Sequence, residues 1–449
     1  MYRKIIALLL AISVSLMLVG CSVSGTAEAP QLETDANGQV ALALAADIMG
    51  GHYSYACENY LYTKQMADAM SASLLYLSMM SAVKKCGSFE AVESIAKLDG
   101  AYYVGLKFKK ESMTAIVSFD GYEVAGFVIT DWVDPNSLLP PSEMTLPDDA
   151  VERDVVFGDP QLPGKLVVPD GATTVVILLS GSGPNDADST LGPNKPLRDI
   201  AYDLARHGIA SLRFDKRTAV YPSQSAANLD FTPVDEYITD AVSAYFYLAG
   251  HRDEYTDVFI AGHSMGGYML PAIAPFTPDA AGYIFLSANS TPLHELAKMQ
   301  IEYLRTLDGV TRSQQQAYLD MLTELDKIGN LADDVPAGTL IFGAYPAYWQ
   351  WLSQYDPLSE VALVEAPMLF IAGGRDYQVP ESELSGWKGT FQESGPLRMF
   401  SSLPTVNHIF MEGEGYSVPS EYSVPGFVDN AVADEIAAFI RATYIYYGG

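Results

Sequence analysis

Five short apolar runs constrain what the C-terminal part of this 449-residue chain can fold into. They read "TTVVILLSGSG", "IASLRFD", "DVFIAG", "AGYIFLSAN" and "PMLFIAGG", and none shows the apolar–polar alternation of a half-exposed strand. Strands covered on both faces have this character. Helical patterns such as "PLRDIAYDLARHG" and "VDEYITDAVSAYFYLAG" separate them, so each interval is long enough for a crossover. The rhythm predicts an α/β fold over residues 151–449, with a doubly wound, mostly parallel sheet opened by an antiparallel pair at "RDVVFG" and "GKLVVP". Residues 292–330 break the rhythm. Two helical patterns follow one another there with no strand between, which predicts a helical lid over about 290–355 rather than another crossover.

The third run ends in a pinch, "DVFIAGHSMGGYML". A buried strand that turns sharply into a helix leaves room only for small neighbours, which accounts for Gly262, Gly266 and Gly267 and makes Ser264 stand clear of the fold. A serine hydroxyl is a weak nucleophile near neutral pH and needs a base that an acid orients. Asp376 follows the glycine turn that ends "PMLFIAGG", while Asp356, in "YDPLSE", precedes that strand and is the competing acid. His408, in "LPTVNHIF", follows the last strand. The five other histidines, His52, His207, His251, His263 and His294, precede Asp376, and His263 beside the serine reads as packing.

This arrangement resembles the α/β-hydrolase superfamily, and "SGSGPNDADSTLGPNKPLRDIAYDLARHGIASLRFDKR" extends the resemblance to a bacterial branch of esterase-like and acyl-hydrolase-like proteins. The resemblance implies a serine hydrolase of carboxylesterase type, with Ser264 as nucleophile, Asp376 as acid and His408 as base. It also implies an oxyanion hole from the backbone N–H of Met265 and of Ser182; where many relatives carry His-Gly, this chain has Ser180-Gly181. The substrate would be a small acyl compound, and the chemistry requires no metal or organic cofactor. A serine aminopeptidase, a thioester hydrolase and a non-catalytic binding protein on the same scaffold are the alternatives. Tyr345, Tyr348, Trp349 and Trp351 lie between lid and final strands, where Tyr348 and Trp349 either line a substrate pocket or pack the lid. Asp215, Lys216 and Arg217 either tune the charge of the cleft or form an internal ion-pair network.

The N-terminus carries signals of another kind. "MYRK" and the apolar "IIALLLAISVSLMLV" lead to "LVGC", which resembles the lipobox of bacterial lipoproteins. That resemblance implies a signal peptide over 1–20, lipidation of Cys21 and a tether over 21–35, with the protein held at the bacterial cell surface through its lipid anchor. Residues 36–133 predict a small α+β domain: "QMADAMSASLLYLSMMSAVKKCG" is helical in period, and "YYVGLKFKK" and "MTAIVSFDGYEVAGFVI" alternate as strands around an Asp-Gly turn. The order resembles small cystatin-like or NTF2-like domains. A proline-rich linker spans 134–150. With 26 Lys plus Arg against 55 Asp plus Glu, and no basic run, the chain repels a phosphate backbone, which excludes nucleic acid as partner. Cys57 and Cys86 remain open to a disulfide or to two free thiols.

Overall fold

Two sheets organise the chain, which the computed structural model describes over residues 36–447 apart from 99–100, 132–143, 252–253, 308–309, 311, 330, 332–333 and 392–394. The leader, Cys21 and the tether, and most of the proline-rich segment, lie outside the described residues. The chain divides into an N-terminal and a C-terminal unit, each with its own core.

In the N-terminal unit four antiparallel strands run in chain order: β1 (Phe89–Leu98), β2 (Ala101–Phe108), β3 (Ser112–Asp120) and β4 (Glu123–Asp131). The helix Ala36–Met49 buries Leu42, Leu44, Ile48 and Met49 in one cluster with Val104, Leu106, Ala115 and Val117 of the sheet. β1 escapes sequence reading because two register shifts, at Phe89/Ala91 and Val92/Ser94, interrupt its alternation. The single helical pattern through Met66 and Met80 is in fact two helices, Lys64–Ala69 and Ala72–Cys86, since Met70 turns to extended backbone. Ser71, a residue type favoured at helix starts, begins the second by accepting the Leu75 N–H at 3.0 Å. Cys57 and Cys86 are free thiols.

The C-terminal unit is built on eight strands in the order β12-β11-β10-β9-β7-β8-β6-β5. Their ranges are β5 (Ala150–Phe157), β6 (Leu162–Pro169), β7 (Thr174–Leu179), β8 (Ala210–Phe214), β9 (Asp257–His263), β10 (Gly282–Leu286), β11 (Met368–Gly373) and β12 (Arg398–Leu403). β7 to β12 are parallel, and β6 pairs antiparallel with both β5 and β8. Alternate residues feed two separate cores: Val175, Ile177, Val258, Ile260 and Phe285 face one, Val176, Leu178, Phe259, Ile284 and Leu369 the other. The helix Thr239–Ala249 covers the first face, and the helices Pro196–Arg206 and Ala431–Tyr447 cover the second. At about 1.5–3 kcal/mol per buried large aliphatic side chain, these double-sided strands are the main source of stability. Uninterrupted apolar runs are what such a sheet requires.

Between β10 and β11 lies the helical insertion, with helices Leu293–Thr306, Arg312–Gly329, Pro346–Gln354 and Pro357–Val361. The chain leaves β7 for β8 on one side and then β9 on the other, so the strand order reverses at β7. Open α/β sheets bind ligands beyond the carboxyl ends of the strands at such a reversal.

Candidate active site

Ser264 occupies that reversal, directly after β9, with φ 54° and ψ −122°. A side-chain-bearing residue in this region is strained by about 1–3 kcal/mol and persists only where its surroundings force it. Those surroundings are glycines. A Cβ on Gly262 would overlap the Gly266 carbonyl, one on Gly266 would lie 2.6 Å from Ser180 O, and one on Gly267 2.6 Å from the Ala288 Cβ. The helix that follows is short: Met265–Tyr268 ends and Leu270–Ile273 starts anew, because Pro271 has no N–H for the turn before it.

His408 and Asp376 come from the two turns beyond β12 and β11. His408 Nδ1 donates to Asp376 Oδ2 at 2.7 Å, and Asp376 Oδ1 accepts the backbone N–H of Gln378 at 2.8 Å and of Val379 at 2.9 Å. The carboxylate is thus fully buried with three donors on it, which offset the loss of water. Asp356 is elsewhere; it caps the helix Pro357–Val361 by accepting the N–H groups of Leu358 and Ser359. Ser264 and His408 border one cavity of about 660 Å³. Among the described residues no hydrogen bond joins their side chains. Nucleophile–base contacts are commonly loose before substrate arrives and tighten in its complex.

His263 proves to have a task that local sequence did not reveal. Its Nε2 donates to the His408 carbonyl at 2.8 Å, with the two rings 4.7 Å apart. Burial first, and the neighbouring His408 second, press its pKa down to about 3. It is therefore a neutral donor that fixes the backbone of His408, not a second base.

Against Ser264 and His263 lies the loop after β7. A Cβ on Gly181 would come within 3.1 Å of the Ser264 Cβ, so this loop approaches the serine as closely as a glycine allows. Ser182 borders the cavity and is exposed to it. Met265 opens its helix, where the first N–H groups have no intrahelical acceptor. Met265 thus follows Ser264 directly, and the loop that carries Ser182 packs against the serine at Gly181.

Of the four aromatic residues, Tyr345, Tyr348 and Trp349 border the cavity, while Trp351 packs on Tyr355. The hydroxyl of Tyr348 donates to Glu236 Oε2 at 2.8 Å, and Trp349 Nε1 donates to the Ile341 carbonyl at 2.8 Å. Leu293, Leu296, Leu340 and Phe342 of the insertion complete an apolar wall. The charged triplet after β8 is an internal network: Asp215 accepts the Ala187 N–H, Lys216 pairs with Glu236, and Arg217 pairs with Asp240.

Residues 176–419 match the sequence pattern of the Alpha/beta hydrolase family, and 390 residues are 32% identical to Esterase EstD of Thermotoga maritima, over 86% of this chain and 90% of that one. The chain belongs to the α/β hydrolase family. Among solved structures this α/β hydrolase is similar to an esterase of Pyrococcus furiosus, at 16% identity and TM-score 0.41, over 70% of this chain and 95% of that chain. It is also similar to Est1E from Butyrivibrio proteoclasticus, at 17% identity and TM-score 0.41, over 66% and 100%. The hydrolase fold places its serine-bearing turn at β9 and its polar loops at the ends of β7, β11 and β12.

Proposed function

We propose that this hydrolase cleaves carboxylic esters of uncharged, largely apolar acyl compounds through an acyl-enzyme on Ser264. The observation that carries the reading is the pairing of His408 with the buried Asp376 at the rim of the cavity that Ser264 borders. Ser264 Oγ attacks the carbonyl carbon while His408 Nε2 takes its proton. The resulting oxyanion is met by the N–H groups of Met265 and Ser182. Collapse expels the alcohol, which leaves with the proton held on Nε2. Water then enters by the same route, and the acid is released with Ser264 restored.

Ester is favoured over a free-amine peptide by the charges at the wall. Glu236 is the one carboxylate side chain among the lining residues, and Lys216 and Tyr348 already occupy both of its oxygens. Among the described lining residues a substrate ammonium finds no unengaged counterion. The relatedness to an enzyme named an esterase supports the same choice. A fluorophosphonate probe should label the protein and fail to label Ser264→Ala, and a short p-nitrophenyl ester should be cleaved far faster than aminoacyl p-nitroanilides. Faster amide cleavage would overturn the ester reading.

We also propose that Cys21 carries the lipid that holds the protein at the bacterial surface, on the strength of the "LVGC" sequence after the apolar leader. Metabolic labelling with an alkyne palmitate should mark the full chain and not Cys21→Ala.

A further inference from the structure

The loop after β7 is held by a buried ion pair. Lys216 Nζ lies 2.7 Å from Glu236 Oε1, and it donates to the Tyr237 hydroxyl at 2.8 Å and to the Gly181 carbonyl at 2.9 Å. Tyr237 donates to the same carbonyl at 3.0 Å, and Asn185 Nδ2 does so at 3.1 Å. Three donors converge on an acceptor with two lone pairs, so the direction of that C=O bond is fixed from several sides. The Gly181–Ser182 peptide is trans, and in a trans peptide the following N–H points opposite to the carbonyl. With the carbonyl drawn towards the buried ammonium, the Ser182 N–H is turned away from it, and Ser182 itself borders the cavity. It meets no protein acceptor among the described residues.

Glu236 and Tyr237 stand on a π-helical segment, Val234–Ile238, at the start of the helix that covers the first face of the sheet. The wider turn departs from ordinary helical spacing, and such departures gather at functional sites. A buried ion pair adds little stability over apolar residues of the same size, so its presence beside this carbonyl calls for another reason.

We propose that Lys216, braced by Glu236 and Tyr237, is a positioning residue for the chemical step, holding the Gly181–Ser182 peptide in the orientation that offers the Ser182 N–H to the oxyanion. The inference rests on the Ser264 mechanism above. Released from its donors, the peptide plane can rotate, and a flipped plane presents a carbonyl oxygen to the developing negative charge. The loss then exceeds that of one hydrogen bond.

The test combines Lys216→Met with the milder Tyr237→Phe and Asn185→Ala, assayed on a p-nitrophenyl ester and by inhibition with an alkyl boronic acid, whose serine adduct mimics the tetrahedral intermediate. Removing an oxyanion donor outright costs about 10²–10³ in kcat, so Lys216→Met should approach a 10²-fold loss and the other two about tenfold. KM should stay within about threefold, and boronate affinity should fall in proportion to kcat/KM, since only the transition state uses the donor. If Lys216→Met does not fold, the other two variants decide the matter, with melting temperature as the check. Folded variants that keep wild-type kcat, or that lose kcat while binding boronate as tightly as before, would overturn the positioning role. Should Ser264→Ala retain activity, it is the serine mechanism that fails instead, so the two failures are distinct.

Discussion

His408 itself is held by a hydrogen bond from the neutral His263 and by one carboxylate, Asp376, whose charge backbone N–H groups absorb. Around Gly181 a full ion pair, Lys216 with Glu236, is sealed in the interior and aimed at one carbonyl. Both regions border the cavity beside Ser264, yet they are stabilised by different physics. The first can lose its chemistry and keep its fold, because an amide can take the place of a carboxylate among the same donors. The second ties geometry to stability, since either partner left alone is a buried charge without compensation.

Asp376→Asn sharpens this contrast most. The imidazole would be offered the wrong tautomer, and kcat should fall by about 10⁴-fold with the melting temperature moving only a few degrees. A loss below tenfold would take Asp376 out of the reaction. Glu236→Gln should show the converse, destabilising the protein by about 3 kcal/mol in chemical denaturation as the Lys216 ammonium loses its counterion. If Asp376→Asn proves the less stable of the two, the comparison is wrong.

A third prediction concerns pH. His263 titrates in the folded protein well below its unfolded range, so the unfolded chain binds the proton first. Its contribution to stability is whole above about pH 6.5 and is lost as pH falls towards 3; between pH 6.5 and 5 the loss should be about 2 kcal/mol. His263→Asn should flatten that part of the profile relative to the wild type, and parallel profiles would show that His263 is not its source. The smallest effect expected is that of Ser182→Ala, under threefold in kcat, because a backbone N–H survives the loss of a side chain. A much larger drop would move the oxyanion role to the hydroxyl.

Sequence reading reached one half of the site more fully than the other. The apolar runs located β7 to β11, and the glycines around Ser264 announced a tight turn, for which the overlaps that any Cβ would meet there are the atomic reason. The order of Ser264, Asp376 and His408 along the chain pointed to His408 and Asp376, which pair, and to Ser264, which borders the same cavity as His408. What escaped were relations between polar atoms far apart in sequence. Tyr237 reaches a carbonyl 56 residues away, and His263 one 145 residues away. Neither periodicity nor composition records which way a hydroxyl or an imidazole faces. The π turn at Val234–Ile238 hid within a helical pattern, as the bulges of β1 hid within a strand, because each shifts the period by one residue without changing residue type.

Part of the greasy lining comes from a different stretch of chain than the reacting groups. Leucines and aromatics from the segment between β10 and β11 shape the space available to an acyl chain, while the groups proposed to break bonds sit at other strand ends. That segment can diverge to admit longer or shorter substrates, but it also touches the site, at Gln300, whose amide donates to the Gln378 carbonyl beside Asp376, and at Tyr348. The Tyr348 hydroxyl, anchored on Glu236, is where a change of appetite would also be felt as a change of rate.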